Sequence, residues 1–297
     1  MSALREACGM VSVPSDYAIV LNIGNCAIVA LPNARLAARI GRNHYPPERF
    51  ENELHFVQTA RPYGLPVLEP ARAIPPSVIV TASGPVTFWP LLQHYQGAFD
   101  WAWLGSVLRR LHEIPLAGLA DVKSDPIRAI HERITRYANA PGAREEYVEV
   151  LLSACDLARS DLASLHSVLG VGVLHGDAGP GNVLLDQSTP LLADFDLSGI
   201  GLKEWDLMVP AVLYRRFGLG RKDLQCFLRS YGFDVTQWDG FEPMVRTREL
   251  LDISFAVSLA PMNELVRREL DVRMRALLDA VDRTPWASLR SVFSRES

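Results

Sequence analysis

Lysine is nearly missing from this chain. Of its 30 basic side chains only Lys123, Lys203 and Lys222 are lysines, so any cationic task before residue 123 falls to arginine. Cysteine is also scarce. Cys8, Cys26, Cys155 and Cys226 are far apart and form no C-x-x-C pair or Cys/His cluster, which argues against a zinc site or a disulfide framework and for four reduced thiols. No apolar run approaches the ~18 residues that a membrane-spanning helix needs. The opening residues show no basic region followed by an apolar core, so the expected location is the cytoplasm. An excess of positive charge is absent as well: the net charge is -4 and the pI about 6.0, which gives no footing for nucleic-acid or membrane partners. There is no internal repeat and no low-complexity tract. What remains is ordinary globular material, 48% hydrophobic and 22% charged, long enough at 297 residues for one large or two modest domains.

The most informative stretch runs from Val173 to Asp196. An apolar run delivers His175-Gly176-Asp177, a loop of small residues crosses to Asn182, and a β-like run follows. After a Gln187-Ser188-Thr189-Pro190 turn, a second apolar run ends on Asp194-Phe195-Asp196. Short strands joined by a turn would bring Asp177, Asn182 and Asp194 to one end of a hairpin. Phosphoryl transfer needs that set: a carboxylate to receive a hydroxyl proton, and an amide with a second carboxylate to hold magnesium on the phosphates. A hydrolytic metal centre built from His175, Asp177 and Asp194 would need further histidines at ligand spacing, and the sequence has none there.

Around this block the chain changes character once. Residues 1–16 show no strong pattern and are expected to be a loosely held lead-in. Residues 18–21, 27–31 and 35–40 are β-like, and Gly24-Asn25 suits either a plain hairpin turn or a short flap over nucleotide phosphates. Pro46-Pro47 opens a helix over about 47–61, with Glu48, Glu51 and Glu53 in its early turns. A proline-broken stretch leads to strands at 77–81 and 86–89. Helical periodicity then dominates. Asp100 would cap Trp101–His112, whose Trp101, Leu104, Val107, Leu108 and Leu111 share a face. Further helices are expected near 125–138 and 144–168, and a core stripe runs from Met262 through Leu265, Val266, Leu270, Met274, Leu277 and Leu278 to Val281. The predicted class is α+β: a small antiparallel sheet with one main helix over 1–89, then a larger, mainly helical lobe over 90–297 carrying the hairpin.

This layout, with its His-Gly-Asp-x-x-x-x-Asn and Asp-Phe-Asp motifs, resembles the aminoglycoside phosphotransferase/choline kinase branch of the protein-kinase-like fold. Val86–Pro90, Leu104–His112 and Glu204-Trp205-Asp206-Leu207 resemble its hinge strand, its helix before the substrate lobe and its Trp-Asp-Leu segment. The resemblance implies ATP as phosphoryl donor, with GTP left open, Mg2+ as the metal, and a small hydroxylated acceptor. It places the catalytic base on Asp177 and the metal ligands on Asn182 and Asp194. It puts Arg39 at the usual lysine position of the third strand, paired with a helix glutamate, most naturally Glu53. Gly24 would cover the phosphates, and the hinge around Trp89 and Leu91 would hold the adenine. Asp206 would brace the catalytic loop, and His175 would orient its backbone. Asp196 stays open between a second-metal or acceptor contact and a solvated turn residue.

The chain departs from the pattern at Arg39, in place of lysine, and at Gly179, where many bacterial members carry histidine. Arginine is planar and many-armed where lysine is a point charge, so the two are not interchangeable. The absent lysine and the plain glycine turn at Gly24 motivate an alternative: a nucleotide-binding but inactive pseudokinase with a regulatory role. Aminoglycosides, other antibiotics, sugars or amino sugars, choline-like amino alcohols and a homoserine-like metabolite all remain open as acceptors. Asp196, Glu204, Glu242, Glu249, Asp252 and Glu264 are the acidic candidates for a cation-accepting pocket, each with an ordinary solvated charge as its plainer reading.

Overall fold

The computed structural model describes residues 1–24, 26–42, 45–95, 97–116, 123–279 and 281–289. Helix α1 (Ser2–Met10) precedes strands β1 (Ile19–Ile23), β2 (Cys26–Leu31) and β3 (Leu36–Gly41), and helix α2 (Pro47–Ala60) follows. Next come strands β4 (Ile79–Thr81), β5 (Gly84–Pro90) and β6 (Gln93–His94). Helices α3 (Trp101–His112), α4 (Pro126–Ala138) and α5 (Glu145–Ser164) lead to β7 (Val171–Leu174), β8 (Val183–Asp186), β9 (Thr189–Leu192) and β10 (Gly199–Leu202). Helices α6 (Met208–Arg216), α7 (Arg221–Tyr231), α8 (Phe241–Leu259) and α9 (Glu264–Leu278) complete the order. Packing gathers them into two compact units. One is built mainly from Met1–Phe99 and His175–Ile200, the other from Asp100–His112, Lys123–Leu174 and Gly201 onward.

The first unit is organised by an antiparallel sheet in the order β1-β2-β3-β5-β4. Side chains alternate between its faces. Leu36, Ala38 and the half-buried Ile40 of β3 turn to one face, where they pack with Val29, Leu31, Val86, Phe88 and Ile79. Arg39, one residue out of phase, turns to the other, and its guanidinium lies over the Phe50 ring of α2 at 5.1 Å. The phase of one short strand therefore decides which of its residues face the apolar layer and which carries charge.

The lead-in expectation is overturned at the first face. Residues 2–10 form α1, and Ala3, Leu4, Ala7 and Cys8 are buried in the same apolar cluster as the sheet. Three of those four side chains are small, and no side chain caps the helix. Its signal in the sequence is correspondingly faint, although the burial is complete.

The hairpin β8–β9 pairs Val183 with Leu192 through Asp186 with Thr189, so Thr189 and Pro190 lie in the strand and Gln187-Ser188 make the turn. Flanking segments hold it on both sides. On one side β6 pairs Gln93 with Leu185 and His94 with Leu184. On the other, the Leu192 N–H donates to the Pro66 carbonyl at 2.7 Å, and the Leu68 N–H donates to the Leu192 carbonyl at 2.8 Å.

In the second unit, α3 lies against α7 and α8 packs on α4, α5, α6 and α9. The expected face of α3 (Trp101, Leu104, Val107, Leu108 and Leu111) is buried. The Asp100 carboxylate accepts from the Trp103 N–H at 2.9 Å, as a helix cap does. The long stripe is shorter than its periodicity suggested. Val266, Leu270 and Met274 are buried, whereas Met262, Leu278 and Val281 are exposed. The expected α+β class holds, with α1 added to it.

Because Leu4 is fully buried between α1 and the sheet, Leu4→Ala should lower unfolding stability by about 2–5 kcal/mol, the usual cost of emptying a packed leucine site. Urea unfolding followed by circular dichroism measures this, and a loss below ~0.5 kcal/mol, the scale of surface substitutions, would mean α1 is not part of the core.

Candidate active site

The site grows from three loop ends of the first unit. The chain enters at His175, whose imidazole is fully buried. Its Nε2 lies 3.1 Å from the Ala193 carbonyl, and its Nδ1 accepts the Asp177 N–H at 3.2 Å. That pairing requires the neutral tautomer with the proton on Nε2. His175 thus ties the backbone of the first loop to the end of β9, which is the loop-orienting task expected of it. Gly176 follows at φ +87°, where a β-carbon would meet the Leu197 carbonyl oxygen at 2.2 Å. Only glycine fits.

Asp177 is half-buried, and two bonds connect it to Asn182. The Asn182 Nδ2 donates to the Asp177 carbonyl at 2.8 Å and to its carboxylate Oδ2 at 3.2 Å. With its nitrogen spent on Asp177, Asn182 keeps its amide oxygen for another partner. The Ala193 N–H donates to the Asn182 carbonyl at 2.9 Å and seats Asn182 beside the residue preceding Asp194.

Asp194 lies two residues beyond β9 at φ +65°, in the left-handed region that aspartate tolerates better than most residues. Its carboxylate meets Arg39 at 3.0 Å, and the Asp196 carboxylate meets the same guanidinium nitrogen at 3.0 Å. The other terminal nitrogen of Arg39 donates to Glu53 of α2. Of the three glutamates in that helix, Glu53 is the one turned inward, and Glu48 and Glu51 are exposed. The second oxygen of Glu53 accepts the Phe195 N–H at 3.1 Å, and Phe195 stacks on Phe56 of the same helix at 4.8 Å. One buried arginine therefore carries three carboxylates drawn from α2 and the end of β9.

Charge in this cluster is unbalanced. Desolvation acts against ionised Arg39, but Glu53, Asp194 and Asp196 outweigh it and keep the guanidinium charged. Burial pushes the Glu53 carboxyl up despite Arg39. The Asp194 carboxyl is pushed up to about 7, first by desolvation and then by Asp196, Glu53 and Asp177, against the pull of Arg39. Its side chain nevertheless keeps 46% of its surface open. Three acids on one base leave an excess of negative charge that suits a divalent cation. The amide oxygen of Asn182 and the carboxylate of Asp194 are the hard donors such an ion takes. Among the described residues no group of three or more His, Cys, Asp or Glu side chains could hold a metal alone.

Tyr45 belongs to this cluster and was not foreseen. Its hydroxyl donates to Asp196 Oδ2 at 2.6 Å. No motif marks it, since the contact spans 151 positions of sequence. Asp196 is consequently no solvated turn residue: it is an internal partner of Arg39 and Tyr45.

The remaining site residues lie elsewhere in the unit. The Gly24 N–H closes the β1–β2 turn on the Cys26 carbonyl at 3.0 Å, and Asn25 lies outside the described residues. Trp89 is buried with its indole N–H on the Thr87 hydroxyl at 2.9 Å. The Leu91 N–H donates to the Arg35 carbonyl at 3.0 Å.

In the second unit Asp206 is buried against His112 at 3.0 Å, and the other ring nitrogen of His112 lies 2.7 Å from the Tyr231 hydroxyl. The acidic candidates for an acceptor pocket there are engaged internally. Glu204, fully buried and no solvated charge, accepts from the Ser167 hydroxyl and from the N–H groups of Val168 and Leu169 at 2.7 and 2.8 Å. Glu249 pairs with Arg216, Asp252 with Arg248, Glu242 with Arg215 and Glu264 with Arg267. No helix among the described residues is long and apolar enough to cross a membrane.

Comparison with known proteins bears on the family and the fold. The profile described as the phosphotransferase enzyme family matches residues 27–242. No curated protein matches significantly. Among solved structures, an amicoumacin kinase in complex with AMP-PNP and Ca2+ superposes with a TM-score of 0.70 at 14% identity, over 96% of this chain and 95% of that one. A microcompartment-associated aminopropanol kinase gives 0.66 at 20% identity, over 93% and 95%. A choline/ethanolamine kinase family protein from Mesorhizobium loti gives 0.61 at 17%, over 94% and 95%. At these identities the likeness establishes the fold, the protein-kinase-like α+β class expected from the sequence. The profile match reaches from β2 to the start of α8 and takes in every residue of the cluster around Arg39, and on that span the chain belongs to the phosphotransferase enzyme family.

Proposed function

We propose that the protein is an ATP-dependent, divalent-cation-dependent O-phosphotransferase acting on a hydroxyl of a small molecule. The observation that carries this reading is the convergence within one unit of a half-exposed carboxylate (Asp177), an amide held against it (Asn182), and an acid at a strand end (Asp194) beside a buried Arg39–Glu53 pair. The amicoumacin kinase was solved with a nucleotide analogue and a hard divalent cation, a pairing that the donor set here suits equally. Over the pseudokinase alternative, which the missing lysine motivates, this reading is favoured by Asp177, Asn182 and Asp194 standing together with Arg39 beside them.

In this reading Asn182 and Asp194 hold Mg2+, which supplies charge neutralisation on the phosphates. The Gly24 turn and Arg39 would lie beside those phosphates, and Trp89 and Leu91 would flank the adenine. The acceptor hydroxyl donates to the Asp177 carboxylate. As its oxygen bonds to the γ-phosphorus, the bond from that phosphorus to the β-bridging oxygen breaks, ADP leaves, and the hydroxyl proton passes to Asp177. Asn182 keeps the carboxylate in place through its Nδ2, and His175 keeps the loop in place through the Asp177 N–H. Positioning and charge do the catalysis, and no covalent enzyme intermediate forms.

Asp177→Ala should lower kcat by about 10^2–10^4-fold, the usual contribution of a positioned general base, while nucleotide affinity stays within about twofold. A coupled ADP-release assay across amino sugars, aminoglycosides, other hydroxylated antibiotics and amino alcohols both finds the acceptor and supplies the rate. Full activity in the variant would remove Asp177 from the role. Asp194→Asn should abolish the part of nucleotide affinity that depends on Mg2+ and spare the part measured in EDTA. Equal Mg2+ dependence in variant and parent would show that the ion is held elsewhere.

A further inference from the structure

Arg39 is surrounded by more acid than one ion pair requires, and its three carboxylates are not held alike. Glu53 has a second partner in the Phe195 N–H. Asp196 has one in the Tyr45 hydroxyl, on the same oxygen that meets Arg39. Asp194 is the most open of the three, and its only side-chain partner among the described residues is Arg39. One guanidinium nitrogen thus sits 3.0 Å from both a fixed aspartate and a loosely held one.

Tyr45 is well placed to be rigid. It is buried, its ring meets Phe50 edge-on at 5.8 Å, and the Arg49 guanidinium lies 5.2 Å from its centroid. Burial and the neighbouring Asp196 push its hydroxyl well above the usual phenol range, so it remains a donor at any working pH. A hydroxyl donating to a carboxylate at 2.6 Å is among the stronger neutral-to-ion contacts a protein makes.

We propose that Tyr45 is a positioning residue for the divalent-cation site: its hydroxyl fixes Asp196, and Asp196 with Glu53 pins the Arg39 guanidinium so that it orients the Asp194 carboxylate. Arg39 then acts as a strut between acids more than as a clamp on phosphate. Lysine is a poor replacement, since the three donors of an ammonium diverge from one atom on a flexible stem and do not match acids set around a planar fork. The proposal rests on the phosphotransferase reading, and it adds a residue and a role to that reading.

The test is AMP-PNP binding to the full chain, titrated with MgCl2 and repeated in EDTA, alongside the thermal midpoint of the metal-free protein. Tyr45→Phe removes one oxygen and leaves the ring packing in place. It should raise the Mg2+ concentration at half-maximal effect by about 10-fold, the scale seen when a residue that orients a metal ligand is lost. Affinity in EDTA should change by less than twofold. Asp196→Asn should shift the Mg2+ midpoint the same way, and the double variant should be no worse than the more severe single one, because both break one chain of contacts. A lowered thermal midpoint with an unmoved Mg2+ midpoint makes Tyr45 purely structural and overturns the proposal. Multiplying effects in the double variant overturn it as well. Unchanged Mg2+ dependence in Tyr45→Phe, when the parent shows that dependence, defeats this proposal alone. A parent with no Mg2+-dependent AMP-PNP binding defeats the phosphotransferase reading and this proposal with it.

Discussion

A guanidinium cannot be taken out of water alone. Arg39 is 7% exposed, and transferring its charge to the interior costs several kcal/mol unless acids travel with it. The acids that do so come from separate parts of the chain: Glu53 from α2, and Asp194 and Asp196 from the end of β9. Satisfying one buried cation therefore joins the sheet, its helix and the hairpin at a single point. The Glu53 carboxylate extends the tie into the backbone at Phe195, and His175 extends it through Ala193 to the loop that holds Asp177. Were Arg39 replaced by an apolar residue, three acids would face one another across the gap, and the arrangement of Asp194 and Asp196 would go first.

Some of this was open to sequence reasoning, and the reason is locality. Asp177, Asn182 and Asp194 lie within 18 positions of one another on a short hairpin, so spacing and strand periodicity suffice to place them together. Gly176 was also legible as part of the motif, although its necessity is plain only from the Leu197 carbonyl against which it sits. The α3 face followed from helical periodicity, and Glu53 from its place in α2. What escaped was either weak in pattern or long in range. Helix α1 packs with small side chains and has no cap, so neither hydrophobic periodicity nor a boundary signal marks it. Tyr45 and Asp196 are brought together across 151 positions, and no local rule links a tyrosine before a Pro-Pro helix start to an acid after a strand. Glu204 looked like surface charge because its partners are backbone N–H groups, which carry no sequence signature.

The shortage of lysine gains a physical meaning in the helical unit as well. Arg133 donates to the Leu251 carbonyl and the Ser254 hydroxyl, both at 3.2 Å, with Phe255 against its face at 5.5 Å. Arg216 binds Glu249 and the Asp282 carbonyl, and Arg273 binds Glu269 and the carbonyls of Asp252 and Ala287. The Trp286 ring lies 4.9 Å from one of these guanidinium groups and 5.0 Å from the other. Each of these arginines is buried, serves several acceptors in different directions, and presents a flat face to an aromatic ring. An ammonium group offers neither the fork nor the face.

The same device thus recurs in both units, in one case to dock a terminal segment on helices and in the other to gather acids around a strand. That recurrence bears on how the arginine at position 39 should be understood. A point charge at a phosphate site can be exchanged for a longer cation with some loss of reach. A strut cannot, because its value lies in the number of partners it holds at fixed angles. Arg39 meets Glu53, Asp194, Asp196 and the Phe50 ring at once, which is the pattern of Arg216 and Arg273 and not that of a lone cation awaiting a ligand. The departure from the family's lysine is then matched inside the protein by Tyr45, whose hydroxyl fixes the acid that the extra arm of the guanidinium needs.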